Sequence, residues 1–131
     1  MIVVAAVIEQ DGEILVCQCR RGSRHELKWE FPGGKVEPGE EPRAALIREL
    51  QEELKIDADI GPELNRYEHS YSGRPPILLI FYRVKSFHGV PENLVFETIE
   101  WAPARRLPEY DFLEGDVDFV NRLARAAGNG V

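Results

Sequence analysis

Gly33-Gly34-Lys35-Val36-Glu37-Pro38-Gly39-Glu40-Glu41-Pro42-Arg43-Ala44-Ala45-Leu46-Ile47-Arg48-Glu49-Leu50-Gln51-Glu52-Glu53-Leu54-Lys55-Ile56 is a glycine-rich loop running into an acidic helix, and the rest of the chain reads as scaffold for it. Pro42 suits the first turn of a helix, where its missing N–H is not needed, and Ala44 to Leu54 are mostly good helix formers. The helix is therefore expected over residues 42–54. At about 100° per residue, Leu46, Ile47, Leu50 and Leu54 share one arc that packs, while Glu49, Glu52 and Glu53 fill a second arc beside it. Glu49 meets like charges at i+3 and i+4, pairings that each cost an isolated helix roughly 0.2–0.5 kcal/mol. A bound cation reverses that sign.

A bare Glu-x-x-Glu-Glu is most often a solvated helix face, but the context here is specific. Upstream lie the Gly33-Gly34 turn and a further carboxylate at Glu40, and Arg48 is placed to pair with Glu52 one turn on or to brace a neighbouring glutamate. A hard cation such as Mg2+ takes oxygen ligands from carboxylates, carbonyls, waters and substrate phosphates, and this stretch supplies such a set.

The 131 residues fit one domain with a real core, expected over 1–127 with a frayed tail at 128–131, and 44% hydrophobic with 30% charged residues is ordinary for a globular protein. A net charge of −7 argues against polymeric nucleic acid, which binds through Lys and Arg, while a small phosphorylated ligand bridged by metal stays open. The apolar start Ile2–Ile8 lacks the basic lead and cleavage site of a signal peptide, and no apolar run reaches the roughly 18 residues of a membrane span, so a cytoplasmic protein with no membrane partner is expected. The composition allows a monomer or a homodimer. Cys17 and Cys19, two apart in a strand, face one side and are poorly placed for a disulfide.

Outward from the central stretch, Ile2–Ile8 and Ile14–Cys19 read as strands joined by the hairpin signal Asp11-Gly12. Arg20 to Lys28 is a basic loop in which Arg20, Arg21 and Arg24 are candidates for phosphate contacts, with solvated loop charge as the alternative for each. Trp29–Phe31 forms a short strand entering the glycine loop. Beyond the helix, Asp57–Ser70, Ile77–Phe87 and Thr98–Ala102 read as strands, Ser72–Pro76 as a turn, and Asp116–Ala127 as an amphipathic helix capped by Asp116. Strands, acidic helix, strands and a closing helix make an α/β protein with a mixed sheet between two helices.

The central stretch resembles the Nudix box, G-x5-E-x7-R-E-U-x-E-E-x-G-U with U aliphatic, through Gly34, Glu40, Arg48, Glu49, Leu50, Glu52, Glu53 and Ile56. One position departs: Lys55 stands where the box has its second glycine. That place ends a helix and often needs a positive φ, so a lysine there costs on the order of 1 kcal/mol without touching the acidic face. The resemblance covers essentially the whole chain and implies the same fold, a Nudix-type α/β/α sandwich with a mixed β-sheet between two helices.

What the resemblance implies for chemistry is hydrolysis of a nucleotide pyrophosphate bond. By it, Glu49, Glu52 and Glu53 ligate Mg2+, with Mn2+ as substitute, the Gly33 carbonyl is a further ligand, Arg48 holds a glutamate, and Glu40 lies outside the first ring of ligands. A ligand or base from outside the box is expected at Glu97, with Glu100 and Glu92 behind it. Trp-Glu-Phe-Pro-Gly-Gly-Lys followed by Arg-Glu-Leu-Gln-Glu-Glu looks most like the MutT type, which cleaves nucleoside triphosphates such as 8-oxo-dGTP to the monophosphate and pyrophosphate and so cleans the nucleotide pool. Related bacterial enzymes prefer CTP or other pyrimidine nucleotides. Gly34, Lys35 and Glu40 join Arg20, Arg21 and Arg74 as substrate-side candidates, and Phe31 is a candidate to stack on the base. The base-binding asparagine of MutT has no counterpart within Asp111–Asp116, which leaves Glu114 as the candidate nearest that place. The competing classes are a Nudix-fold nucleotide sensor, which would commonly lose box glutamates that this chain keeps, and a calcium-binding structural protein, for which no Asp-rich loop is present.

Overall fold

The computed structural model describes residues 1–129. Eight strands, β1 (Ile2–Val7), β2 (Glu9–Gln10), β3 (Glu13–Gln18), β4 (Trp29–Glu30), β5 (Gly33–Lys35), β6 (Asp57–His69), β7 (Ile77–His88) and β8 (Thr98–Pro103), accompany two helices, α1 (Pro42–Leu54) and α2 (Val117–Asn129). The sheet expected from the sequence is present as a mixed sheet in the order β5-β1-β7-β6, with β1 and β7 parallel. Beside it stands a second, antiparallel sheet in which β3 pairs with β2, β4 and β8.

The expected opening hairpin is short. Asp11 and Gly12, at φ 54° and 80°, turn the chain between β2 and β3, while β1 crosses to the other sheet. β1 is buried on both faces and serves two cores. Val4, Ala6 and Ile8 pack toward α1 with Leu46, Leu50 and Leu54; Ala5 and Val7 pack toward α2 with Phe119 and Val120. β7 divides in the same way, Ile80 and Tyr82 to the first core and Leu79 and Phe81 to the second. A two-sided central strand needs a continuous apolar run, which is what both segments supply.

α1 spans the predicted residues. Its buried face is Ala45, Leu46, Leu50 and Leu54, whereas Ile47, expected to pack, is 40% exposed at the margin of the arc. Lys55 caps the helix in the left-handed region at φ 56°, its N–H bonded to the Gln51 carbonyl. β6 is an edge strand with register shifts between Asp59 and Asn65, and this irregular edge tolerates Pro62. Pro103–Tyr110, read as a turn, contains a 3₁₀ segment over Ala104–Glu109. Helix α2 includes Gly128 and Asn129, the first two residues of the expected tail; residues 130 and 131 lie outside the described residues. Among the described residues no helix is long and apolar enough to cross a membrane.

Asp116, expected to cap α2, instead lies in a 3₁₀ turn, Glu114–Asp116, and is only 6% exposed. The strap leading to it is fixed by Trp29, whose N–H bonds the Asp111 carbonyl and whose carbonyl accepts from Leu113. These bonds carry Asp116 to the edge of the mixed sheet, next to β5.

Candidate active site

Gly33 and Gly34 sit where backbone must pass closely. A Cβ on Gly33 would meet the Val4 carbonyl oxygen at 2.0 Å, and one on Gly34 would meet the Glu49 carboxyl carbon at 2.5 Å. No side chain fits at Gly33 against the β1 backbone, and one at Gly34 would displace the Glu49 carboxyl, so β5 lies directly between β1 and the acidic face of α1.

Arg48 organises that face. Its Nε and Nη2 donate to the two oxygens of Glu40 at 2.9 and 3.1 Å, Nη1 donates to Glu49 at 2.9 Å and Glu52 at 3.4 Å, and Nη2 also reaches the Lys35 carbonyl. A planar guanidinium suits this multiple bonding, and the bonds hold Glu40 below the usual carboxylate range. Glu53 is placed otherwise. Its Oε1 accepts the Gly33 N–H at 3.1 Å, and burial, reinforced by Glu30, Glu49 and Glu52, pushes its carboxyl up to about 9. Glu49 is also raised, chiefly by burial.

Among the described residues no three His, Cys, Asp or Glu side chains converge as a ready metal cage, because Arg48 draws Glu49 and Glu52 toward itself while Glu53 turns to Gly33. The donors nonetheless fit a hard divalent cation: they are oxygen groups, and the negative charge that burial and neighbouring acids disfavour at Glu53 is one that a cation would stabilise.

On the other side of β5 opens a cleft of about 540 Å³, the size of a small-ligand site, with Gly33, Gly34 and Lys35 on one wall and Tyr71, Arg74 and Leu113 among the residues opposite. Two acids, Glu30 and Asp116, face into it. Glu30 accepts a bond from the Cys19 thiol, Sγ to Oε2 2.9 Å, and burial raises its carboxyl. Burial, then the charge of Glu30, pushes Asp116 up to about 8, and the Phe31 N–H opposes them. Both cysteines are buried as free thiols, and burial raises each well above the ordinary thiol value.

The predicted residues are thus distributed unevenly. Gly33, Gly34, Lys35, Arg74 and Arg24 line the cleft, whereas Arg20 and Arg21 are exposed and not on its walls. Phe31 touches the cleft but is 2% exposed, packed against Phe81, Phe112 and Phe119, so its ring is committed to the core rather than free to stack. Glu97 is exposed and accepts the Arg21 N–H at 3.0 Å, a bond that closes the basic loop. Glu114 lies off the cleft walls: its side chain is 76% exposed and 3.4 Å from His69 Nε2, while Asp116, two residues on, is among the lining residues. Sequence reasoning passed over Asp116 as a helix cap and Glu30 as part of a flanking motif. The available signal was Glu30 in a strand between two aromatic residues, and an acid just ahead of an amphipathic helix.

Comparison with known proteins agrees with this architecture. The NUDIX domain family matches residues 1–123. The chain is 40% identical over 130 residues to the CTP pyrophosphohydrolase of Escherichia coli, covering 95% of this chain and 96% of the relative. It is 31% identical over 124 residues to the 8-oxo-dGTP diphosphatase of the same organism, covering 95% of each. The solution structure of the E. coli ORF135 protein superposes with a TM-score of 0.84 at 37% identity, covering 99% of this chain and 94% of that one. With the box glutamates, the two cores and the cleft accounted for, the chain belongs to the Nudix family and is a hydrolase of its MutT type.

Proposed function

We propose that the protein is a nucleoside triphosphate pyrophosphohydrolase that uses Mg2+, or Mn2+ in its place, and releases the monophosphate and pyrophosphate. The observation that carries this reading is the position of Gly33 and Gly34, which contact Glu53 and Glu49 on one side and line the cleft on the other. A nucleotide laid along β5 has its phosphates beside the acidic helix face and its base beside Asp116.

In this reading Glu49, Glu52, Glu53 and the Gly33 carbonyl would hold the cation, which would supply neutralisation of charge on the reacting phosphates. Arg48 fixes the rotamers of Glu49 and Glu52, and Glu40 in turn fixes Arg48. The Gly33 N–H fixes the Glu53 carboxyl through Oε1. Lys35, Arg24 and Arg74 supply positive charge along the cleft. Asp116, kept neutral by burial, offers an O–H donor and a carbonyl acceptor side by side. That pattern complements N3 and the amine of cytosine, or O6 and N1–H of a guanine-type base. The relatives named for CTP and for 8-oxo-dGTP fall within these two classes.

Phosphorus NMR of the products tests the reading across CTP, dCTP, 5-methyl-dCTP, dGTP and 8-oxo-dGTP. Pyrophosphate is expected only with divalent metal. Orthophosphate release, or full activity in excess chelator, overturns it.

A further inference from the structure

Gly115, the residue that precedes Asp116, is gripped on both sides. Tyr67, near the end of β6, donates its hydroxyl to the Gly115 carbonyl at 2.6 Å, and the Gly115 N–H donates to the hydroxyl of Tyr71, just past that strand, at 3.1 Å. Both distances are those of formed hydrogen bonds. The fit leaves no room for a side chain: a Cβ on Gly115 would lie 2.7 Å from the Tyr71 hydroxyl oxygen and 3.2 Å from both His69 and Leu79. Tyr71 is itself held, its ring 4.5 Å from that of His69 and 5.2 Å from that of His25. It also lines the cleft, and its carbonyl accepts the Arg74 N–H, which ties the β6–β7 turn to the same point.

A residue bonded through both its N–H and its carbonyl has the peptide units on either side of it fixed, and with the Asp116 N–H also bonded to the Leu113 carbonyl the direction of the next side chain is set. We propose that Tyr67 and Tyr71 are positioning residues for base recognition, clamping Gly115 so that Asp116 presents its carboxyl to the base at a fixed angle. The turn at Arg74 and the strap at Leu113–Asp116 then form a single wall of the cleft, joined through Tyr71. This inference rests on the nucleotide reading and adds to it the residues that make Asp116 selective.

The test is a double-mutant cycle between Tyr71→Phe and Asp116→Ala, with Tyr67→Phe as a second route should Tyr71→Phe fail to fold. Binding of CMP and of dGMP is measured by calorimetry in chelator, and kcat and KM are measured for CTP and 8-oxo-dGTP. For whichever base the wild-type protein binds more tightly, Tyr71→Phe is expected to weaken monophosphate binding about fivefold and raise KM by the same factor, with kcat within about twofold. In the Asp116→Ala background the same change should have little further effect, since neighbours that act through one another are not additive. Additive losses, or unchanged affinity accompanied only by a lower melting temperature, overturn the clamp and leave the tyrosines structural. A wild-type protein that neither binds nor cleaves any nucleotide overturns the functional reading and the clamp with it, whereas wild-type turnover with an additive cycle defeats the clamp alone.

Discussion

Two groups of carboxylates flank the Gly33–Gly34 backbone, and they are managed in opposite ways. On the α1 side one guanidinium serves Glu40, Glu49 and Glu52, and Glu40 is held below the usual carboxylate range. On the cleft side Glu30 takes its bond from a thiol, Asp116 is opposed only by a backbone N–H, and burial raises both. Glu53 stands between the two, next to the acidic helix face yet without a share of Arg48 in its bonding, and is pushed to about 9. The difference shows that the charge of an acid and its task are set by the partner it is given. Glu40, braced by arginine, is framework, whereas the acids that burial raises, Glu49 and Glu53 at the helix and Glu30 and Asp116 at the cleft, are the ones able to exchange protons or meet a ligand.

The sharpest way to break this comparison is Glu53→Gln. Turnover should fall by about a hundredfold or more, with folding intact, since a carboxyl pushed up to about 9 is already uncharged at neutral pH and the amide replaces it without a change of charge. Steady-state kinetics and thermal melting read both. Glu63→Gln, which loses only a pair with Arg66 on the exposed edge of β6, is the control and should change turnover by less than about twofold.

Next in size is Asp116→Ala, which should cost roughly 1.5–3 kcal/mol of binding to the preferred base, read as a rise in KM and in the monophosphate dissociation constant. Glu114→Gln, on an exposed side chain two residues away, should leave the substrate profile within about twofold. Equal losses at 114 and 116 would erase the distinction drawn between solvent-facing and cleft-facing acids.

The protonation of Asp116 gives a finer measure. Its folded value of about 8 lies above the ordinary 3.8, so the folded state keeps a proton that the unfolded chain releases. The stability this provides is full below about pH 4 and is lost as pH rises through about 8. Calorimetric melting in chelator should therefore show the difference in melting temperature between Asp116→Asn and the parent moving in the variant's favour over that range. Affinity for the base should decline above about pH 8 in the parent and stay level in the variant, whose amide keeps its donor.

The smallest expected effect lies away from both groups. Lys55→Gly relieves a left-handed φ of 56° at the end of α1 and should stabilise the fold by about 1 kcal/mol with unchanged kinetics, as denaturant titration would show.

Local periodicity made most of this fold legible. Pro42 and the Leu46–Leu50–Leu54 stripe defined α1 to the residue, and the apolar runs located β1, β3, β7 and β8 within one residue at each end. The division of strands between two sheets was not legible, because Ile2–Ile8 reads the same whether one neighbour or two lie beside it. The acidic half of the site was legible for a related reason, since Glu49, Glu52 and Glu53 are close in sequence. The cleft was not, since Glu30 and Asp116 meet only through the bonds between Trp29 and the strap. Phe31 stayed open between base platform and core in the sequence, because an aromatic side chain beside a loop looks alike in both roles until Phe81, Phe112 and Phe119 are seen around it.

The parallel pairing of β1 with β7 also bears on how the chain is made. During synthesis Ile2–Ile8 leaves the ribosome long before Ile77–Val84, its partner in the mixed sheet, and α1 emerges in between with its apolar stripe still uncovered. The segment is uncharged, β-branched and free of proline, the composition that self-associates when exposed. Yield in a cell should therefore depend on translation speed and on holding factors more than on the stability of the finished protein, and pauses placed before codon 77 should lower it.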